Sequence, residues 1–204
     1  MNELPLSSAL DEETARAELY GLLAVLYYAP PAPELLAQLR FAPTDAPSAD
    51  AYLEEPWRAL VAAARATDDV AIQDEFDALF GGVGKPAVSV YGSQYLTGFL
   101  NEKPLVALRA DLARLGLERE AGMPEAEDHF ACLCEVMRYL IAGEDVEVAN
   151  LAQQQAFFTR HLQPWVERFC DAVAARPQQP FYAALAGFTR AFMAVEVQGF
   201  DLLD

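Results

Sequence analysis

Apolar residues recur every three to four positions along almost the whole chain, which is the spacing of amphipathic helices. The stretch FACLCEVMRYLIAG is the clearest case. Phe130, Leu133, Cys134, Met137, Leu140 and Ile141 share one face, and Gly143 ends the run. The same spacing predicts a first helix from Asp11 or Thr14, carrying Leu19, Leu22, Leu23 and Leu26 and stopped by APPAP. Pro33 opens a second through Leu39, Tyr52 to Ala66 forms a third, and Val70 to Phe80 a fourth. Leu105 to Leu115 follows, with Gly116 as its C-terminal cap. The pattern that includes Phe130 is expected to be helical from Ala126 onward. Val146 to Ala175 reads as one long helix with a kink or break near Leu162, because Pro164 lies inside it. The last helix runs from Phe181 to about Val197.

Two stretches resist this pattern. FAPTDAPSAD carries two prolines among turn formers and reads as a loop. Residues 81–104, GGVGKPAVSVYGSQYLTGFLNEKP, hold glycines, two prolines and three aromatics. AVSVY can be read as a strand, but no partner strand exists elsewhere, so an ordered irregular loop is expected. The fold class is all-α: a single helical bundle over residues 1–204, with a hinge or linker near 117–127.

The chain has 204 residues, 53% of them hydrophobic, enough for a folded core. Acidic residues outnumber basic ones 31 to 14, a net charge of −17 that disfavours nucleic acid and anionic membrane surfaces and favours a basic partner. The N-terminal stretch is acidic where a secretory signal needs a positive start, and LLAVLYYAP is too short to span a bilayer. Cys132, Cys134 and Cys170 make an odd count without framework spacing, which suits reduced thiols and a cytoplasmic location.

The segment MPEAEDHFACLC poses the chemical question. His129, Cys132 and Cys134 look like zinc ligands, yet on a helix Cys134 lies about 200° round from Cys132, so the three do not converge. Cys134 belongs to the apolar stripe as a small buried thiol. No metal and no cofactor is expected. Asp128 and His129 are adjacent, and adjacent helical side chains diverge. Glu125 or Asp128 suits a helix N-cap instead. GGVGKPAV lacks the spacing and the Ser/Thr of a phosphate loop, so nothing specific supports an enzyme. What remains is binding. Tyr91, Tyr95 and Phe99 among glycines suit either a peptide anchor or a cap over the core.

Four stretches together resemble the TorD/DmsD/NarJ-like chaperones that assist maturation of molybdenum-containing redox enzymes. DALFGGVGKPAVSVYGSQY is similar to that family's Leu-Phe, glycine/proline loop and aromatic-x-Ser-x-Tyr pattern. EAEDHF is similar to its Asp-His hinge motif, QQQAFFTRHLQPWVERF to its Phe-Phe/His/Trp run, and FYAALAGFTRAFMAVE to its final helix. The chain departs from the pattern at Ala126, where proline is usual and Pro124 stands displaced, and at Gly92, where glutamate is frequent.

The resemblance implies an all-helical, cytoplasmic, non-enzymatic chaperone whose client is the precursor of a redox-enzyme catalytic subunit. It implies a peptide-binding site at Tyr91, Ser93, Tyr95, Glu125, Glu127, Asp128 and His129, which would take a client's twin-arginine leader and coordinate cofactor insertion with export. The carboxylates would pair with guanidinium groups and the tyrosines would face the apolar part of the leader. His129 would shape the site rather than react, and His161 and Trp165 would pack in the core. Two alternatives stay open: a chaperone of the same fold that binds the body of a non-exported subunit, and a nucleotide-binding hydrolase. A monomer and a domain-swapped homodimer are both compatible with the sequence.

Overall fold

The computed structural model describes residues 6–44, 52–81, 86–100, 103–120, 122–176 and 178–202. Among them lie ten helices and, apart from one isolated bridge, no strand. The all-α expectation holds. The helices are α1 (Leu6–Tyr28), α2 (Pro33–Phe41), α3 (Glu54–Ala66), α4 (Asp69–Phe80), α5 (Gly92–Thr97), α6 (Lys103–Arg114), α7 (Phe130–Ala142), α8 (Leu151–His161), α9 (Val166–Ala174) and α10 (Pro180–Asp201).

Most stop signals act where the sequence places them. Gly116 has φ +69°, and the pair Gly116 N–H to Ala113 O and Leu117 N–H to Leu112 O closes α6 in a Schellman turn. At Gly143 a Cβ would come 2.7 Å from Tyr139 O, so only glycine lets the chain leave α7 as it does.

Other expectations are corrected by local causes. α1 already covers the first described residue, Leu6, ahead of Asp11, and residues 6–10 contain no helix breaker. The long helix from Val146 is two helices. Asn150 caps α8 by accepting from Gln153 N at 3.1 Å, which moves its start to Leu151. Residues 162–165 form a turn around Pro164, so of the expected kink or break it is the break that occurs. α7 begins at Phe130 rather than Ala126, with His129 as its N-cap. The irregular region 81–104 holds a short helix, α5, and its Tyr91 pairs in an antiparallel bridge with His129. No strand forms among the described residues of this region, as expected, and the departure from the expected loop is the short α5. Residues 45–51 of the proline-rich segment, 82–85 of the glycine-rich motif, and 101–102 lie outside the described residues.

Two compact helical units divide the chain. The first contains α1 and the elements from Tyr91 to Pro164. Here α1 packs along α7, α8 packs on α7, and α5 packs on α6. Tyr20, Leu23 and Tyr27 of α1 are buried, as are Phe130, Leu133, Cys134 and Met137 of α7, and Tyr27 meets Phe130 edge to face at 5.1 Å. The second unit contains α2, α3, α4, α9 and α10, with α10 packed on α3, α4 and α9. Its core is aromatic: Phe76, Phe80, Phe181 and Tyr182 form one cluster, and Trp57 lies 5.4 Å from Phe188. Among the described residues Cys132, Cys134 and Cys170 form no disulfide. Among the described residues no helix is long and apolar enough to cross a membrane.

Candidate functional site at the α5–α7 junction

The site is built where the start of α5 meets the residues before α7. α5 has only six residues, too few to hold itself together, and the motif Asp128-His129 fixes it from 35 residues away. Gly92 N–H donates to Asp128 O at 2.9 Å, and Ser93 N–H donates to Asp128 Oδ2 at 2.9 Å. Asp128 therefore caps α5, not the helix that follows it in sequence. The cap of α7 is the next residue: His129 Nδ1 accepts from Ala131 N–H at 3.1 Å. One dipeptide thus serves two helix starts.

His129 is buried, and its ring meets those of Tyr91 and Tyr28 in T-shaped arrangements with centroids 5.3 and 5.8 Å apart. Burial pushes its pKa down to about 4, against the raising pull of Glu125 and Asp128. The ring is neutral at pH 7, with Nδ1 as acceptor and the proton on Nε2. Tyr91 O–H donates to Glu125 Oε2, and burial together with that carboxylate pushes the phenol well above its ordinary value. Burial likewise pushes the Cys132 thiol up to about 11, aided by Glu125, Glu127, Asp128 and Glu135. A thiol so raised is a poor nucleophile at neutral pH.

The rest of the hinge is tied by two arginines. Arg119 Nη1 donates to Met123 O at 2.9 Å and to Glu125 O at 3.3 Å. Arg109 of α6 forks onto Glu127. Burial opposes charge on Glu127, but the Arg109 hydrogen bonds outweigh it and hold the carboxyl below its usual range.

Of the residues singled out in the sequence, Tyr91, Ser93, Glu125, Asp128 and His129 come together in this junction, and Glu127 sits beside it on Arg109. Tyr95 is half-buried on α5. Ser93 is fully buried and its hydroxyl makes no hydrogen bond, so its backbone N–H carries its part in the junction. Three participants were missed: Tyr28, Arg109 and Arg119. Tyr28 carried a weak signal, as an aromatic just before the APPAP stop.

A second polar cluster lies in the same unit. His161 Nε2–H donates to Asp111 Oδ2 at 2.8 Å, with Arg114 and Arg160 at 2.5 and 2.8 Å from the same carboxylate. Burial opposes charge on Asp111, yet Arg114, His161 and Arg160 together keep it below the usual carboxylate range. This buried tie links α6 to α8, as expected of a core position for His161.

The profile of the nitrate reductase delta subunit family matches residues 46–171. The chain belongs to this family. It is the TorD/NarJ-type family of redox-enzyme maturation chaperones to which the motifs pointed. The chain is 28% identical to "Chaperone protein TorD" of Aliivibrio fischeri over 95% of its length and 90% of that relative's. It is 29% identical to the protein of the same name from Vibrio cholerae, over 58% of this chain and 55% of the relative. An uncharacterised protein of Haemophilus influenzae is 33% identical over 60% of this chain and 58% of that one.

Proposed function

We propose that this family member is a cytoplasmic, non-enzymatic chaperone that binds the precursor of a molybdoenzyme catalytic subunit through its basic and apolar leader peptide, so that export waits for cofactor insertion. The observation that carries the reading is the junction itself. Its hinge carries the half-buried carboxylates Glu125 and Glu127 beside two tyrosines, Tyr28 and Tyr91, over the buried Asp128, and its one histidine is neutral and already committed as a helix cap. Such a surface suits recognition of a cation followed by apolar residues better than proton transfer. The net charge of −17 draws in a basic peptide.

The test is the affinity of a synthetic twin-arginine leader for the wild-type chain, Asp128→Ala and Tyr91→Ala, with melting followed in parallel. Both variants are expected to weaken binding while staying folded. Unchanged affinity in both would remove the site.

A specific observation favours a second reading. Glu125, Glu127 and Asp128 each have a partner within the chain, so recognition of the folded body of a non-exported subunit needs none of them vacated. Binding that survives deletion of the leader would favour it. A nucleotide titration without response would dispose of the hydrolase alternative.

A further inference from the structure

Glu127 is a partly exposed hinge carboxylate that already holds a guanidinium. Arg109 Nε donates to its two oxygens at 3.0 and 3.1 Å, and Nη2 donates to Oε2 at 2.9 Å. That is the forked pairing by which a carboxylate recognises an arginine from another chain. The Glu127 side chain is 14% exposed and that of Arg109 53%, so the cation forms the solvent side of the pair.

Exposed apolar side chains stand on the helix that carries Arg109 and on the segment packed against it. Val106, one turn before Arg109 on α6, is 66% exposed. On α5 and just beyond it, Leu96, Phe99 and Leu100 are 37%, 69% and 50% exposed, and α5 packs on α6. Several large apolar side chains left exposed on or just beyond two helices that pack together suit an interaction surface. The charge of −17 and the hinge acids Glu118, Glu120 and Glu125 select a positively charged occupant.

We propose that Arg109 stands in the guanidinium subsite of the leader-binding surface, and that a bound peptide displaces it from Glu127 while laying its apolar residues on Leu96, Phe99, Leu100 and Val106. The inference rests on the leader-binding reading and specifies its subsites. The internal arginine acts as a competitor. Ligands with a lone cation gain little by exchanging one ion pair for another, whereas a guanidinium followed by apolar residues gains the shelf as well.

The experiment is a set of fluorescence-anisotropy titrations with a labelled synthetic peptide bearing two adjacent arginines and an apolar run. It compares the wild-type chain with R109A, E127Q and R109A/E127Q, and adds F99A/L100A. R109A is expected to bind about two- to fivefold more tightly than wild type, the range of one partly exposed ion pair. The gain should vanish in the E127Q background, and F99A/L100A should weaken binding in every background. If R109A unfolds, R109Q keeps the aliphatic stem and the same comparison. A gain that persists without Glu127 would reduce the effect to general charge and overturn the proposal. Equal binding by wild type and R109A would overturn it while leaving the leader-binding reading in place. Binding by none of the variants would remove both.

Discussion

Glu75 in one unit and Asp128 in the other both hold the first turn of a helix far away in sequence. Glu75, on α4, accepts from Phe181 N–H at 3.4 Å and Tyr182 N–H at 3.1 Å, across 107 positions to the latter. Its surroundings are aromatic. Burial raises its pKa, against the lowering effect of the Tyr182 and Phe181 N–H bonds. Asp128 makes the matching contact to α5, but at a junction crowded with polar groups: His129, Tyr91 and the Arg119-bound hinge. The same device therefore serves two ends. In the second unit it anchors a 22-residue helix to a hydrocarbon core, and in the first it shapes a surface.

Chemical denaturation offers the first way to break this comparison. Glu75→Ala should cost about 2–4 kcal/mol, because it strips two buried N–H groups of their acceptor and leaves a void. Glu75→Gln, which keeps the volume and one acceptor oxygen, should recover more than half of that. Asp128→Ala should cost less, about 1–2 kcal/mol, the range of a lost helix cap. A larger loss for Asp128→Ala than for Glu75→Ala in urea titrations would invert the ranking.

Acid sharpens the contrast, since the two sites carry opposite signs. His129 has a folded pKa of about 4, below its unfolded value near 6.5. Between these values the unfolded chain binds the extra proton, so the His129 contribution is complete above about pH 6.5 and is lost as the pH falls toward 4. The swing should reach about 3 kcal/mol at most, and His129→Asn, which keeps a capping oxygen, should abolish it. Glu75 is raised instead, so its contribution is complete below about pH 4.5 and is lost as the pH rises through its folded value. Subtracting the pH–stability curve of Glu75→Gln from that of the wild type should show that slope. The smallest effect belongs to the hinge latch. Arg109→Ala should change stability by about 0–1 kcal/mol, because its ion pair is half exposed.

What could be read from the sequence divides along similar lines. α7 was legible because six apolar positions repeat over a continuous face, and Gly143 marks an end that no side chain could take. The break near Leu162 was legible because Pro164 lacks the N–H a continuing helix needs. α5 was not legible: six residues carry no usable period, and the carboxylate that holds them lies 35 residues on. The motif Asp128-His129 stood out as chemistry, but its division of labour did not. Reading Asp128 as a cap was correct in kind and wrong in target, since spacing along one helix says nothing about a helix start elsewhere. Arg109 was overlooked for the same reason. On α6 it reads as an ordinary solvated cation, and only the fold brings Glu127 to it.

The placement of α1 has a consequence for how the chain comes off the ribosome. Its partner α7 begins about 100 residues after α1 ends. At typical synthesis speeds α1 therefore waits on the order of 5–20 s before the surface that covers Tyr20, Leu23 and Tyr27 exists. Throughout that interval a protein read here as a guardian of unfinished chains is itself an unfinished chain with a bare apolar helix, dependent on whatever shields nascent polypeptides in the cell.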